Sequence, residues 1–116
     1  MNVVGLYGGT SENVNVENNL IINNNTAYSF YPNSLVHLEN GAVLNTLVVE
    51  NNLLFNLPLG TVPGTYSNNL TSNPQIDDAG TRPSPYYLPK TASPLMARGL
   101  NVGLAFTGAA PNIGAY

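Results

Sequence analysis

An eight-residue stretch of this chain recurs with six of its positions identical. Val16-Glu17-Asn18-Asn19-Leu20-Ile21-Ile22-Asn23 is matched 33 residues later by Val49-Glu50-Asn51-Asn52-Leu53-Leu54-Phe55-Asn56, and the two positions that differ are apolar in both copies. Ser67-Asn68-Asn69-Leu70-Thr71-Ser72-Asn73 is a weaker third version, 17 residues further on. A constant core revisited at uneven spacing predicts one structural position visited repeatedly, with loops of different length between visits. No segment of residues 1–72 carries capped apolar spacing at i, i+3, i+4 and i+7, so no long helix is expected there.

What separates the repeats is strand-like. Ser34-Leu35-Val36-His37-Leu38-Glu39-Asn40 and Val43-Leu44-Asn45-Thr46-Leu47-Val48-Val49 are rich in aliphatic and β-branched residues and are bounded by Asn and Gly. Asn40-Gly41 is a strong turn signal. Polarity comes from amides rather than charges. The chain has 19 Asn, and Asp, Glu, Lys and Arg together make only 8% of it, against roughly 25% in an average soluble domain. Asn-rich disorder does not fit, because the Asn residues alternate with runs of Val, Leu and Ile. The two Asn-x-Ser/Thr triplets, at Asn24 and Asn69, are what chance gives at this Asn content.

Short strands, Asn turns and a repeat of a few tens of residues predict an all-β solenoid: a short right-handed parallel β-helix over residues 1–72, with a Pro-rich C-terminal cap over 73–116. Inward side chains of stacked strands would form aliphatic columns, for which Leu20, Ile22, Leu53 and Phe55 are candidates. Asn tolerates the left-handed conformation of sharp turns, and a buried turn amide needs hydrogen-bond partners. Asn18 with Asn51, and Asn19 with Asn52, are therefore candidates for a structural Asn ladder. Ordinary hairpin turns of a β-sandwich are the alternative reading. Six of the nine Pro fall in residues 74–116, where missing ladder donors favour loops over another regular turn of the solenoid.

The cap region carries an ordered set of motifs: Asn73-Pro74-Gln75-Ile76-Asp77, Tyr86-Tyr87-Leu88, Thr91-Ala92-Ser93-Pro94-Leu95-Met96, Gly99-Leu100-Asn101-Val102-Gly103 and Pro111-Asn112-Ile113-Gly114-Ala115-Tyr116. This order resembles the C-terminal end of secreted bacterial right-handed β-helix proteins of the pectate-lyase-like superfamily. Three features depart from that pattern. Ala97 and Asn112 stand where the family carries Asp, and the chain stops at Tyr116 where relatives continue with an acidic residue. The resemblance implies a closing structural phrase without catalysis, packed through Leu95, Met96, Ile113 and Tyr116. Its members include polysaccharide lyases, glycoside hydrolases and adhesins, so fold alone does not fix function.

Few groups are available for chemistry. Lys90, Arg82 and Arg98 fall in the cap, and His37 lies among Leu35, Val36 and Leu38 as a packed or surface residue. Asp77-Asp78 is the only acidic pair, and neighbours on a strand point apart, so a turn role is expected; a Ca²⁺ site there is the alternative reading, and no other cofactor or metal is expected. Glu17 and Glu50 hold equivalent repeat positions and are expected on one solvated face. Tyr28, Phe30 and Tyr31 form an aromatic cluster that could stack on sugar rings; Tyr86-Tyr87 is expected in the cap core. With no Cys, disulfide scaffolds and Cys-based zinc sites are excluded. The absence of any basic run argues against nucleic acid, and no apolar run reaches the roughly 18 residues of a membrane span.

Nothing near Met1 reads as a signal peptide or as a cap: Met1–Thr10 is a strand with a Gly-Gly turn. An uncapped solenoid end exposes strand edges, so either upstream residues of a longer chain or other copies of this one are expected to cover it. Two functions follow. One is a non-catalytic C-terminal segment of an extracellular or cell-surface protein that acts on or binds polysaccharide. The other is a structural or adhesive surface protein whose subunits stack end to end into fibres.

Overall fold

Short apolar runs punctuated by Asn give strands and turns. In a computed structural model the residues described are 2–23, 34–77 and 88–114. The strands are β1 (Asn2–Tyr7), β2 (Thr10–Ser11), β3 (Val14–Glu17), β4 (Leu20–Ile22), β5 (Ser34–Glu39), β6 (Val43–Leu44), β7 (Leu47–Glu50), β8 (Leu53–Phe55), β9 (Thr65–Ser67), β10 (Ile76–Asp77) and β11 (Leu88–Pro89). The described residues contain no helix, and so none long and apolar enough to cross a membrane.

The chain is all-β, in small and mostly parallel sheets. β1 pairs with β5, β2 with β6, β4 with β8, and β7 lies between β3 and β9; all of these are parallel, whereas β10 and β11 are antiparallel. The sequence repeat is the register. Val14 to Glu17 lie beside Leu47 to Glu50, and Leu20 to Ile22 beside Leu53 to Phe55. The weaker third copy adds Thr65 to Ser67 beside Val48 to Glu50, and a bridge from Leu53 to Leu70. Three successive passes of the chain therefore lie against one another.

Among the described residues the third pass is shorter: it adds no strand beside β5 or β6, and its entry carries two prolines. Pro58 and Pro63 lack the N–H that a strand ladder needs. The segment instead crosses directly: Leu35 N–H donates to the Pro58 carbonyl at 3.1 Å, and the chain reaches β7 at Gly64. A Cβ on Gly64 would sit 2.9 Å from both Cβ and the carbonyl oxygen of Leu47, so this close crossing requires glycine.

Asn makes the corners. Asn13, Asn18, Asn40, Asn51, Asn56 and Asn68 all have φ between 50° and 58°, the left-handed region that Asn enters more readily than other side-chain-bearing residues. One corner divides what the sequence presents as a single strand over 43–49. Asn45 N–H donates to the Ser11 carbonyl and Val14 N–H to the Thr46 carbonyl, both at 3.0 Å. The second pass thus follows the bend set by Asn13 in the first, and β6 ends where β7 has yet to begin.

Two apolar clusters result. Val16, Ile21, Leu35, Val36, Leu47, Val49, Leu54 and Leu57 form the interior. Leu53, Leu95 and Ile113 form the second, with Leu20, Phe55, Leu70 and Ile76 packed on it. The expected interior column is thereby corrected: Ile21 and Leu54 face the interior, while Leu20, Leu53 and Phe55 face outward beneath the C-terminal segment. Strands β4 and β8 are apolar on both faces, so alternation alone could not tell the faces apart. The C-terminal packing set also changes. Leu95 and Ile113 are fully buried, Met96 is 41% exposed, and Tyr116 lies outside the described residues.

Replacing Leu54 by Ala should cost about 2–5 kcal/mol, and Gly64→Ala about 1–3 kcal/mol through overpacking against Leu47; urea unfolding midpoints at constant m-value measure both.

Candidate functional site

The corner after β3, β7 and β9 repeats one device three times. The first Asn of each pair (Asn18, Asn51, Asn68) takes the positive φ. The second (Asn19, Asn52, Asn69) joins a stacked set of amides. Asn19 donates to Asn52 Oδ1 from its backbone N–H and from Nδ2, each at 3.0 Å. Asn52 repeats this toward Asn69 Oδ1, at 3.1 and 2.9 Å. Nδ2 of Asn52 also reaches the carbonyls of Val16 at 2.7 Å and Glu50 at 3.0 Å, and the residue is fully buried. Such burial is tolerable because every polar atom of the amide is partnered. The Asn69-Leu70-Thr71 triplet has its amide in this stack, with Nδ2 donating to the Val49 carbonyl at 2.8 Å.

Asn18 and Asn51 do not bond one another. Asn18 pairs with the backbone of Leu100 in both directions, Nδ2 to its carbonyl at 2.8 Å and Oδ1 from its N–H at 2.6 Å. Asn51 donates to the Arg98 carbonyl at 2.7 Å. Asn18 and Asn51 thus clamp the C-terminal segment to the first two passes, at backbone positions two residues apart. Between them, Gly99 N–H donates to the Pro111 carbonyl at 2.8 Å; a Cβ on Gly99 would lie 2.9 Å from the Asn112 carbonyl oxygen. Ser93 holds the start of this segment, with its hydroxyl donating to the Pro74 carbonyl and accepting from Leu95 N–H.

The other residues singled out by sequence are dispersed. Tyr28, Phe30, Tyr31, Asp78, Arg82, Tyr86 and Tyr87 lie outside the described residues. Lys90 and Arg98 are exposed in the C-terminal part. Asp77 pairs with Leu88 in the small antiparallel ladder. Among the described residues no group of three His, Cys, Asp or Glu side chains is gathered that could hold a metal ion. Glu17 and Glu50 are register partners on adjacent strands, and Glu50 also accepts from the Ser67 hydroxyl at 3.2 Å. Burial pushes the Tyr66 phenol above its ordinary pKa, and its hydroxyl donates to the Val62 carbonyl.

A face that the sequence did not reveal lies on β1 and β5. The register puts Gly5 beside His37 and Tyr7 beside Glu39. Tyr7 is 72% exposed, and His37 Nε2 stands 3.0 Å from Glu39 Oε1. An exposed ring with an apolar face and a polar edge, next to an imidazole and a carboxylate, can cover a flat polar ligand and hydrogen-bond its hydroxyls. Because Tyr7 and Glu39 are 32 positions apart, only the pairing of β1 with β5 brings them together.

No family model, curated protein or solved structure matches the chain.

Two outcomes test the turn. Asn52→Ala should cost more than about 3 kcal/mol, since several partners are orphaned in a buried site. Asn52→Asp should be harmed most at neutral pH, because its carboxylate would face the carbonyls of Val16 and Glu50. Such a carboxyl has a raised folded-state pKa, so its stability is present at low pH and lost as pH rises above about 4; thermal melts at pH 4 and pH 7 read the difference. Glu17→Gln should stabilise by about 0.5 kcal/mol by removing a cross-strand like-charge pair, read as a small rise in urea midpoint.

Proposed function

We infer that this chain is a non-catalytic C-terminal segment of an extracellular protein that acts on or binds carbohydrate, built as a right-handed parallel β-helix that its C-terminal part closes. The observation that carries this reading is the in-register stacking of three passes through the Asn19–Asn52–Asn69 amides. A parallel stack with a repeated corner is what a β-helix needs, and hairpins of a sandwich would pair antiparallel instead. The ordered cap motifs support the same assignment through their resemblance to exported β-helix proteins. The Tyr7, His37 and Glu39 face supports a sugar-facing role: one carboxylate beside an imidazole suits hydrogen bonding to hydroxyls, whereas hydrolysis by paired carboxylates needs two acids about 5–9.5 Å apart.

Among the described residues β1 and β3 have a strand on one side only, which favours a second reading, a structural surface protein whose copies stack end to end through such edges.

Titration of isotopically labelled protein with neutral and acidic oligosaccharides distinguishes the two. Under the carbohydrate reading, Tyr7 and His37 resonances shift with at least one glycan, and Tyr7→Ala abolishes the shift without lowering the melting temperature. Silence across the panel, combined with concentration-dependent growth of large assemblies in light scattering, would establish the structural reading instead.

A further inference from the structure

Asn40 differs from the corner Asn residues in what its amide touches. Asn19, Asn52 and Asn69 are tied to one another. Asn18 and Asn51 hold the C-terminal segment, and Asn45 donates to Glu12 Oε1 at 3.1 Å. Asn40 is exposed, and its side chain bonds to no described residue. It is also the one Asn of the 19 that precedes glycine.

The turn at Asn40 is held at its ends and loose in its middle. Asn40 and Gly41 have φ of 50° and 71°, the pair of positive values that marks a type I′ turn. The Glu39 carbonyl accepts from Gly8 N–H at 3.1 Å and from Ala42 N–H at 3.0 Å, and Val43 N–H donates to the Gly9 carbonyl at 2.8 Å. The peptide between Asn40 and Gly41 has no such tie, since neither the Asn40 carbonyl nor the Gly41 N–H bonds to a described residue. A Cβ on Gly41 would meet nothing within 4 Å, so this peptide has room to rotate. Its flip converts type I′ into type II′, which keeps the bond from Ala42 to Glu39 and brings ψ of Asn40 to about −120°. That rotation carries the Gly41 nitrogen toward Cγ of Asn40, and glycine has no Cβ to block the approach.

We propose that Asn40 is a site of self-modification, which closes to a cyclic imide with Gly41 and opens to isoaspartate and aspartate, and that the isoaspartate weakens the corner between β5 and β6. The Gly41 nitrogen attacks Asn40 Cγ. The N–Cγ bond forms as the Cγ–Nδ2 bond breaks, and Nδ2 leaves as ammonia with the proton from Gly41. Water, the only co-reactant, then opens the imide. Cleavage between Cγ and nitrogen leaves aspartate in an ordinary main chain. Cleavage between the Asn40 carbonyl carbon and nitrogen leaves isoaspartate, whose main chain runs through Cγ and is one atom longer. That extra atom falls between the Glu39 carbonyl and Val43 N–H, both of which are bonded to the first pass. In the ladder Asn residues the same reaction is opposed by the bonds that hold the amide, and the nitrogen after Asn52 is itself engaged, with Leu53 N–H donating to the Asn19 carbonyl at 2.9 Å. This chemistry is independent of what the protein binds.

The first pass supplies the control. Gly8 and Gly9 hold positive φ of 67° and 70° where its chain turns from β1 to β2, so Asn40→Gly keeps the bend and removes the reacting amide. The folded 116-residue chain is incubated at mildly alkaline pH and followed by peptide mass mapping, with fragmentation that separates isoaspartate from aspartate. Conversion at Asn40 is expected to be at least about tenfold faster than at Asn19 or Asn52, to rise with pH as the Gly41 nitrogen deprotonates, and to yield both products. Asn40→Gly is expected to retain the parent melting temperature and to lose the fast conversion. Conversion at Asn40 no faster than at Asn52 would overturn the proposal. So would an Asn40 that reacts in urea and is inert in the folded chain, because the turn would then lock the peptide. The purified isoaspartate form is expected to melt below Asn40→Asp, which carries the same charge on a main chain of normal length; equal melting of the two would overturn the claim that the corner is weakened.

Discussion

The amide of Asn52 is the interaction on which the stacking of passes depends. It is fully buried between an Asn on each side and accepts two hydrogen bonds while reaching two carbonyls and a neighbouring amide oxygen. Only Asn combines an acceptor with a two-hydrogen donor on a side chain short enough to stay in a corner. Asp would put charge among carbonyls, and Gln would not fit the same spacing. Because each Asn satisfies the next, the corner fixes the vertical register of β3, β7 and β9, and from them that of β4 and β8. The neighbouring Asn supplies the left-handed bend, so backbone conformation and side-chain pairing are set by two adjacent residues of one type.

Apolar packing follows from this register rather than creating it. On either side of the corner the strands alternate cleanly, with Val16, Val49 and Tyr66 inward before it and Ile21 and Leu54 inward after it. The residues left outside, Leu20, Leu53 and Leu70, form a second apolar strip that would be a liability if uncovered. Leu95 and Ile113 cover it. The clamps from Asn18 and Asn51 hold that cover by its backbone, which frees its side chains to pack. The C-terminal segment is thus tied to the stack by hydrogen bonds at the corner and by apolar contact beside it. Low charge suits this arrangement, since a chain held by amide pairing has little need of ion pairs.

Some of this was legible in the sequence and some was not. The 33-residue repeat gave the parallel partners directly, and the echo 17 residues later marked the third pass, because a stacked strand must reuse the pattern of the strand beneath it. The choice of interior face of β4 and β8 was not legible, because Leu20-Ile21-Ile22 and Leu53-Leu54-Phe55 are apolar at every position. The roles of Asn18 and Asn51 also escaped, since their partners Leu100 and Arg98 are 82 and 47 residues away and contribute only backbone. Tyr7, a lone aromatic ahead of a Gly-Gly turn, carried no signal of its own.

The sequence by itself determined the local conformations: where strands run, where Asn and Gly must bend the chain, and which runs lie side by side. These depend on steric preference, a property of nearby residues, and on repetition, which is read directly from residue identities. Only the tertiary structure decided which face of a doubly apolar strand is inside, which carbonyls a turn amide grasps, and in which direction the amide stack donates. Those outcomes depend on backbone groups and directions in space, and every residue type has the same backbone. For that reason the polarity of the Asn19–Asn52–Asn69 stack is not recorded in any residue identity.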